Sequence, residues 1–146
     1  MVDLNQLYRQ VIMDNYKNPK NKGLIQTSDY INEHFKNPSC GDDIYVSVKV
    51  DGDVITDLRH DGKGCSICCS SASVVTELLK GKTKEEALKI INDFYEMVKG
   101  NEVEDEEELD EALAYKSVSA FPARIKCATL SWKAIEKALR GGDIEQ

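Results

Sequence analysis

The chain has 146 residues and a formal net charge of -7, the size of one domain and the wrong sign for a general nucleic-acid surface, which wants a basic stripe. With 41% hydrophobic and 31% charged residues, it can build a core that needs no disulfide staples. No apolar run approaches a membrane span, and Met-Val-Asp-Leu-Asn-Gln at the start does not read as a signal peptide, so a cytoplasmic protein without a membrane partner is expected.

Asp3 to Tyr16 reads as a helix, with Asp3 as cap, Gln6 completing a capping box, and Leu4, Leu7, Tyr8, Val11 and Ile12 as its apolar stripe. Asn18-Pro19 stops it. Tyr30 to Lys36, containing Asn32 and His34, reads as an edge strand. Ile44 to Val50 alternates strictly and predicts a stronger strand. Asp51-Gly52-Asp53 is hairpin chemistry, and Val54 to His60 returns antiparallel. Asp61-Gly62-Lys63-Gly64 is expected to break that strand. The chain turns helical by about Ser70, with Ala72, Val75, Leu78 and Leu79 buried and Gly81 as the stop. Thr83 and Glu86 form a capping box for a helix whose stripe runs from Ala87 to Val98. The acidic stretch 101–110 reads as a solvated surface connection, followed by a short helix over 107–115. Pro122 opens the last helix, whose apolar face is Ala128, Trp132, Ile135 and Leu139 and whose stop is Gly141-Gly142. The order predicts an α+β fold: a small antiparallel sheet of about three strands with helices packed on one face.

Five cysteines, an odd number, stand at Cys40, Cys65, Cys68, Cys69 and Cys127. In a cytoplasmic chain such thiols are metal ligands, reactive groups or buried small residues rather than disulfides. Asn37-Pro38-Ser39-Cys40-Gly41-Asp42 places a thiol and a carboxylate two positions apart across a glycine. Cys40 falls in a strand-to-strand turn, Cys65 in a glycine-rich strand-to-helix turn and Cys127 near a helix start, all element ends where side chains can converge. With Asp42 these are four candidate ligands, suited to a tetrahedral Zn²⁺ or to an iron–sulfur cluster. A carboxylate among thiolates is the weakest partner for a soft metal, which points away from a purely structural site. Cys65-Ser66-Ile67-Cys68 is formally CxxC, but the parallel strand of a thioredoxin-like context is missing. Cys68 and Cys69 read as small buried residues, His60 as sheet packing, His34 and Asp43 as surface residues and Trp132 as core. Extra metal or persulfide chemistry is the competing role for the two cysteines.

Three segments carry a family resemblance: 37–42, Gly-Lys-Gly-Cys-Ser-Ile at 62–67 with Ser-Ala-Ser at 71–73, and Phe-Pro-Ala-Arg-Ile-Lys-Cys-Ala-Thr-Leu-Ser-Trp at 121–132. Together they resemble the IscU/SufU family, the NifU N-terminal-like proteins of iron–sulfur cluster assembly, over nearly the whole chain. Lys126, where IscU-type scaffolds carry a His, and Ala120-Phe121-Pro122-Ala123-Arg124, where they carry a chaperone motif, are similar to the SufU branch. The resemblance implies a single domain over 1–146 with a helical and acidic insertion at about 83–115. It implies a zinc site at Cys40, Asp42, Cys65 and Cys127. It also implies a zinc-dependent sulfurtransferase in which Cys40 leaves the metal and accepts persulfide sulfur from a PLP-dependent cysteine desulfurase of the SufS type. Arg124 would assist, and a downstream iron–sulfur assembly scaffold would receive the sulfur. The alternatives are an IscU-type scaffold building a [2Fe–2S] cluster on the same cysteines, with iron as the metal, and a structural zinc-binding interaction module.

Overall fold

A computed structural model describes residues 3–141. Helix α1 spans Leu4–Lys17, strands β1, β2 and β3 span Ile31–Asn37, Asp42–Asp51 and Val54–Lys63, and helices α2 and α3 span Ser66–Leu79 and Lys84–Val98. A 3-10 segment over Glu106–Ala120 leads to helix α4, Pro122–Arg140. The fold is α+β, as the pattern predicts. The three strands form an antiparallel sheet in the order β1-β2-β3. Ile44, Val46 and Val48 of β2 and Leu58 of β3 are buried on the face that α2 and α4 cover. Among the described residues no helix is long and apolar enough to cross a membrane.

The core is continuous from the sheet through α2 and α3 to α4. Trp132 sits at its centre, stacked on Phe94 with ring centroids 3.7 Å apart. Its indole N–H donates to Ser71 Oγ at 2.8 Å, and Ser71 donates onward to the Ala128 carbonyl at 2.7 Å. The buried polar end of the tryptophan is thereby satisfied, as a core indole requires. Thr83 and Glu86 form the predicted capping box, with bonds of 3.1 and 3.0 Å.

Four local expectations change. β3 does not break at Asp61 but pairs with β2 through Lys63. Gly62 makes this possible: at φ 124° a side chain there would be strained, and a Cβ would meet the Asp43 carbonyl oxygen at 2.0 Å. α2 begins at Ser66 rather than near Ser70, with Cys65 as its N-cap residue. The expected short helix over 107–115 is part of a longer 3-10 segment interrupted at Asp110, whose φ of 46° is not helical. The Asp3 cap accepts from the Asn5 N–H at 3.0 Å rather than forming a box with Gln6. The stripe of α1 holds in part: Tyr8, Val11 and Ile12 pack against the core, whereas Leu4 and Leu7 are exposed and the fully buried residue of that helix is Asn15. Asn15 donates to Glu111 Oε1 at 3.0 Å and accepts from Ser73 Oγ at 2.7 Å, adding polar contacts to that apolar docking. Gly141 ends α4 in a left-handed conformation, and Gly142 lies outside the described residues.

Candidate metal centre

The β1–β2 connection is the four-residue turn 38–41, closed by the Cys40 N–H donating to the Asn37 carbonyl at 3.2 Å. Gly41 takes φ 72° with open space around it, so conformation rather than room selects glycine there. The turn leaves Cys40 exposed and returns the chain into β2 with Asp42 only 2% exposed. The thiols of Cys40 and Cys127 and a carboxylate oxygen of Asp42 lie within 4.8 Å of one another. For comparison, a tetrahedral zinc with bonds of about 2.3 Å to sulfur sets its ligands about 3.8 Å apart. The donor set therefore fits a soft divalent ion after a small contraction.

Cys65 stands beside this group without joining it at that distance. Its N–H donates to Asp42 Oδ1 at 3.0 Å, and its side chain is among the groups acting on Cys127. Cys127 is buried near the start of α4, with its thiol 3.5 Å from the Ala123 carbonyl it donates to. Burial, then the Asp42 carboxylate and the Cys40 and Cys65 thiols, push the Cys127 thiol up. A bound cation acts in the opposite sense on such a crowd of anionic groups.

Three residues that the sequence reading left without a role at the site, Asn37, Ser39 and Gly64, shape the surroundings of Asp42. Asn37, 6% exposed, donates its amide to Asp42 Oδ2 at 3.4 Å and to Cys127 Sγ at 3.8 Å. Ser39 orients that amide by donating to Asn37 Oδ1 at 2.8 Å. Gly64 lacks the Cβ that would stand 2.5 Å from Asp42 Oδ1. An asparagine before proline reads as turn chemistry from sequence, and only its burial exposes a second use.

The remaining candidates separate cleanly. Cys68 is fully buried in the core and burial pushes its thiol up. Cys69 is half-buried, donating toward the Gly64 carbonyl at 3.6 Å. His60 is buried and its ring bonds the Lys20 carbonyl at 2.8 Å, stitching the 20–23 segment to the β3 edge. His34 stacks on Tyr45 and pairs with Asp43 at the surface. Arg124 is exposed in the first turn of α4, and among the described residues no acidic group pairs with it.

The NifU-like N terminal domain family matches residues 7–128. The chain belongs to this family. It is 50% identical over 137 residues to the zinc-dependent sulfurtransferase SufU of Bacillus subtilis strain 168, covering 94% of this chain and 92% of that protein. It is 42% identical to the iron–sulfur cluster assembly scaffold protein IscU of Streptococcus pyogenes serotype M1, covering 94% and 85%. A crystal structure of a candidate SUF-system scaffold protein from Fervidobacterium islandicum AW-1 superposes with a TM-score of 0.79 at 34% identity, covering 94% of this chain and 99% of that one. These relatives share the fold, and their names divide between sulfur transfer and scaffolding.

Proposed function

We propose that this protein is a zinc-dependent sulfur acceptor of iron–sulfur cluster assembly, taking persulfide sulfur from a SufS-type, PLP-dependent cysteine desulfurase in the cytoplasm and passing it to a downstream scaffold. The observation that carries the reading is the contrast within the site: Cys40 is exposed on a turn while Asp42 and Cys127, within 4.8 Å of it, are buried. A structural metal wants every ligand enclosed, whereas a transfer site needs one thiol that a donor can touch. An identity of 50% over 94% of the chain to a relative named as a zinc-dependent sulfurtransferase favours the same reading.

Cys40, Asp42, Cys65 and Cys127 would hold the ion. Zinc, when bound, supplies the positive charge that keeps these thiols deprotonated near neutral pH. Cys40 Sγ, as thiolate, attacks the outer sulfur of the donor persulfide. The new bond joins Cys40 Sγ to that sulfur, the donor S–S bond breaks, and its electron pair leaves on the donor cysteine as a thiolate. No external oxidant or reductant enters. Arg124, exposed and without an ion pair among the described residues, supplies positive charge toward a freed thiolate. Asn37 and the Cys65 N–H keep the Asp42 carboxylate fixed meanwhile. We read the chain as one domain in which 83–115, including α3, is the insertion of this branch.

The test is metal analysis of protein purified without added metal, together with desulfurase turnover. Stoichiometric zinc and a stimulation of turnover that Cys40→Ala abolishes are expected. A brown, iron-containing protein would instead favour the scaffold reading. Zinc without any effect on turnover would leave a structural module.

A further inference from the structure

Beside the Cys40 turn lies an open cleft of about 600 Å³, lined by Lys36, Pro38, Lys126, Leu130 and Lys133, with Asn37 in its wall. Lys126, Leu130 and Lys133 recur at helical spacing and so form one stripe of α4. Lys137 continues that stripe but is held by Glu33 at 3.4 Å. Among the described residues, Lys126 and Lys133 have no ion pair and no acidic residue lines the cleft. A local cluster of positive charge thus stands against a chain whose net charge is -7.

The chemistry selects the kind of occupant. Small anions are fixed by rigid donors such as a guanidinium fork or aligned N–H groups, whereas lysine ammoniums are hydrated point charges on flexible stems. The fixed donor in this wall, the Asn37 amide, is spent on Asp42 and Cys127. What remains is a field suited to steering a larger acidic surface. Pro38 and Leu130 add apolar area against which that surface can desolvate. Position matters equally: the cleft begins at the residues just before Cys40, so whatever fills it lies alongside the thiol.

We propose that this cleft docks an acidic loop of the sulfur-donor protein, presenting the donor persulfide to Cys40. The inference rests on the sulfur-acceptor reading and adds the surface and the charge of the partner face. It differs from a role for Arg124, which lies in the first turn of α4 and does not line the cleft.

The experiment measures association of the zinc-loaded protein with a PLP-dependent cysteine desulfurase at low and moderate salt. The variants are Lys126→Glu/Lys133→Glu and, as a control of equal charge, Lys82→Glu/Lys84→Glu. The control pair flanks Thr83, which bridges to Val54 at the opposite end of the sheet. The cleft variant is expected to bind roughly tenfold or more weakly, chiefly through slower association, with a flatter salt dependence. Its zinc content and melting temperature should match the parent protein, and sulfur transfer at saturating donor should recover. Equal binding by the cleft variant, or an equal loss in the control, overturns the proposal while leaving the acceptor reading intact. Failure of the parent protein itself to bind the desulfurase and take sulfur overturns both. Tight competition by inorganic phosphate would identify a small-anion site and also refute the loop.

Discussion

Replacing Gly64 with alanine tests whether Asp42 is held for the metal. The added Cβ would stand 2.5 Å from Asp42 Oδ1 and 3.2 Å from Asp42 Cα. Relief requires the carboxylate to move by about 1 Å to reach ordinary contact. A shift of that size breaks the 3.0 Å bond from the Cys65 N–H. That bond orients the carboxylate toward the neighbouring thiols, and loss of a partner that orients a ligand lowers metal affinity about 10- to 100-fold. Gly64 does not have a positive φ, so alanine imposes no left-handed backbone strain, and the zinc-free protein, which makes the same hydrogen bond, should lose little more stability than that bond supplies. Gly62→Ala is the contrast, because its Cβ would meet the Asp43 backbone oxygen at 2.0 Å and should destabilise even the zinc-free protein. Competition against a chromophoric chelator gives the affinities, and thermal melts in excess chelator give the fold stability. Parent-like zinc affinity in Gly64→Ala would refute the assignment of Asp42 as a positioned ligand.

Asn37→Ala removes the amide that faces Asp42 Oδ2 and Cys127 Sγ. It should weaken zinc binding by about 10- to 100-fold, read by the same chelator competition, and an unchanged affinity would reduce Asn37 to a turn residue. The pH dependence of stability should report His60. Burial holds its imidazole below the ordinary range. As pH falls below about 6.5 the unfolded chain therefore binds a proton that the folded chain refuses, and stability drops. His60→Gln can keep a donor for the Lys20 carbonyl but has no such proton to bind. Its melting temperature should change less between pH 7.5 and about pH 5.5, and parallel slopes would contradict the account.

The strands and helices were legible because their signals are local. β2 alternates residue by residue, Thr83 and Glu86 lie within one turn, and Pro122 marks a helix start. The candidate ligands were legible for another reason: cysteines are few and fell at element ends, in segments that resemble a family. α1 was legible in Tyr8, Val11 and Ile12, which meet the core, but not in its buried Asn15, because the partners Ser73 and Glu111 lie far along the chain. The end of β3 was misjudged because Gly62 looks like a breaker until the Asp43 backbone of the paired strand β2 is seen where its Cβ would be.

The amino-acid sequence by itself determined which elements form, and offered Cys40, Asp42, Cys65 and Cys127 as candidates for one site. Tertiary structure alone decided how unequal they are. It enclosed Asp42 and Cys127, left Cys40 on the surface and set Cys65 slightly apart. It also gave Asn37 and Gly64 their work and gathered Lys36, Lys126 and Lys133 around one cleft. Exposure and convergence depend on contacts between residues up to 90 positions apart, and local sequence carries no record of those.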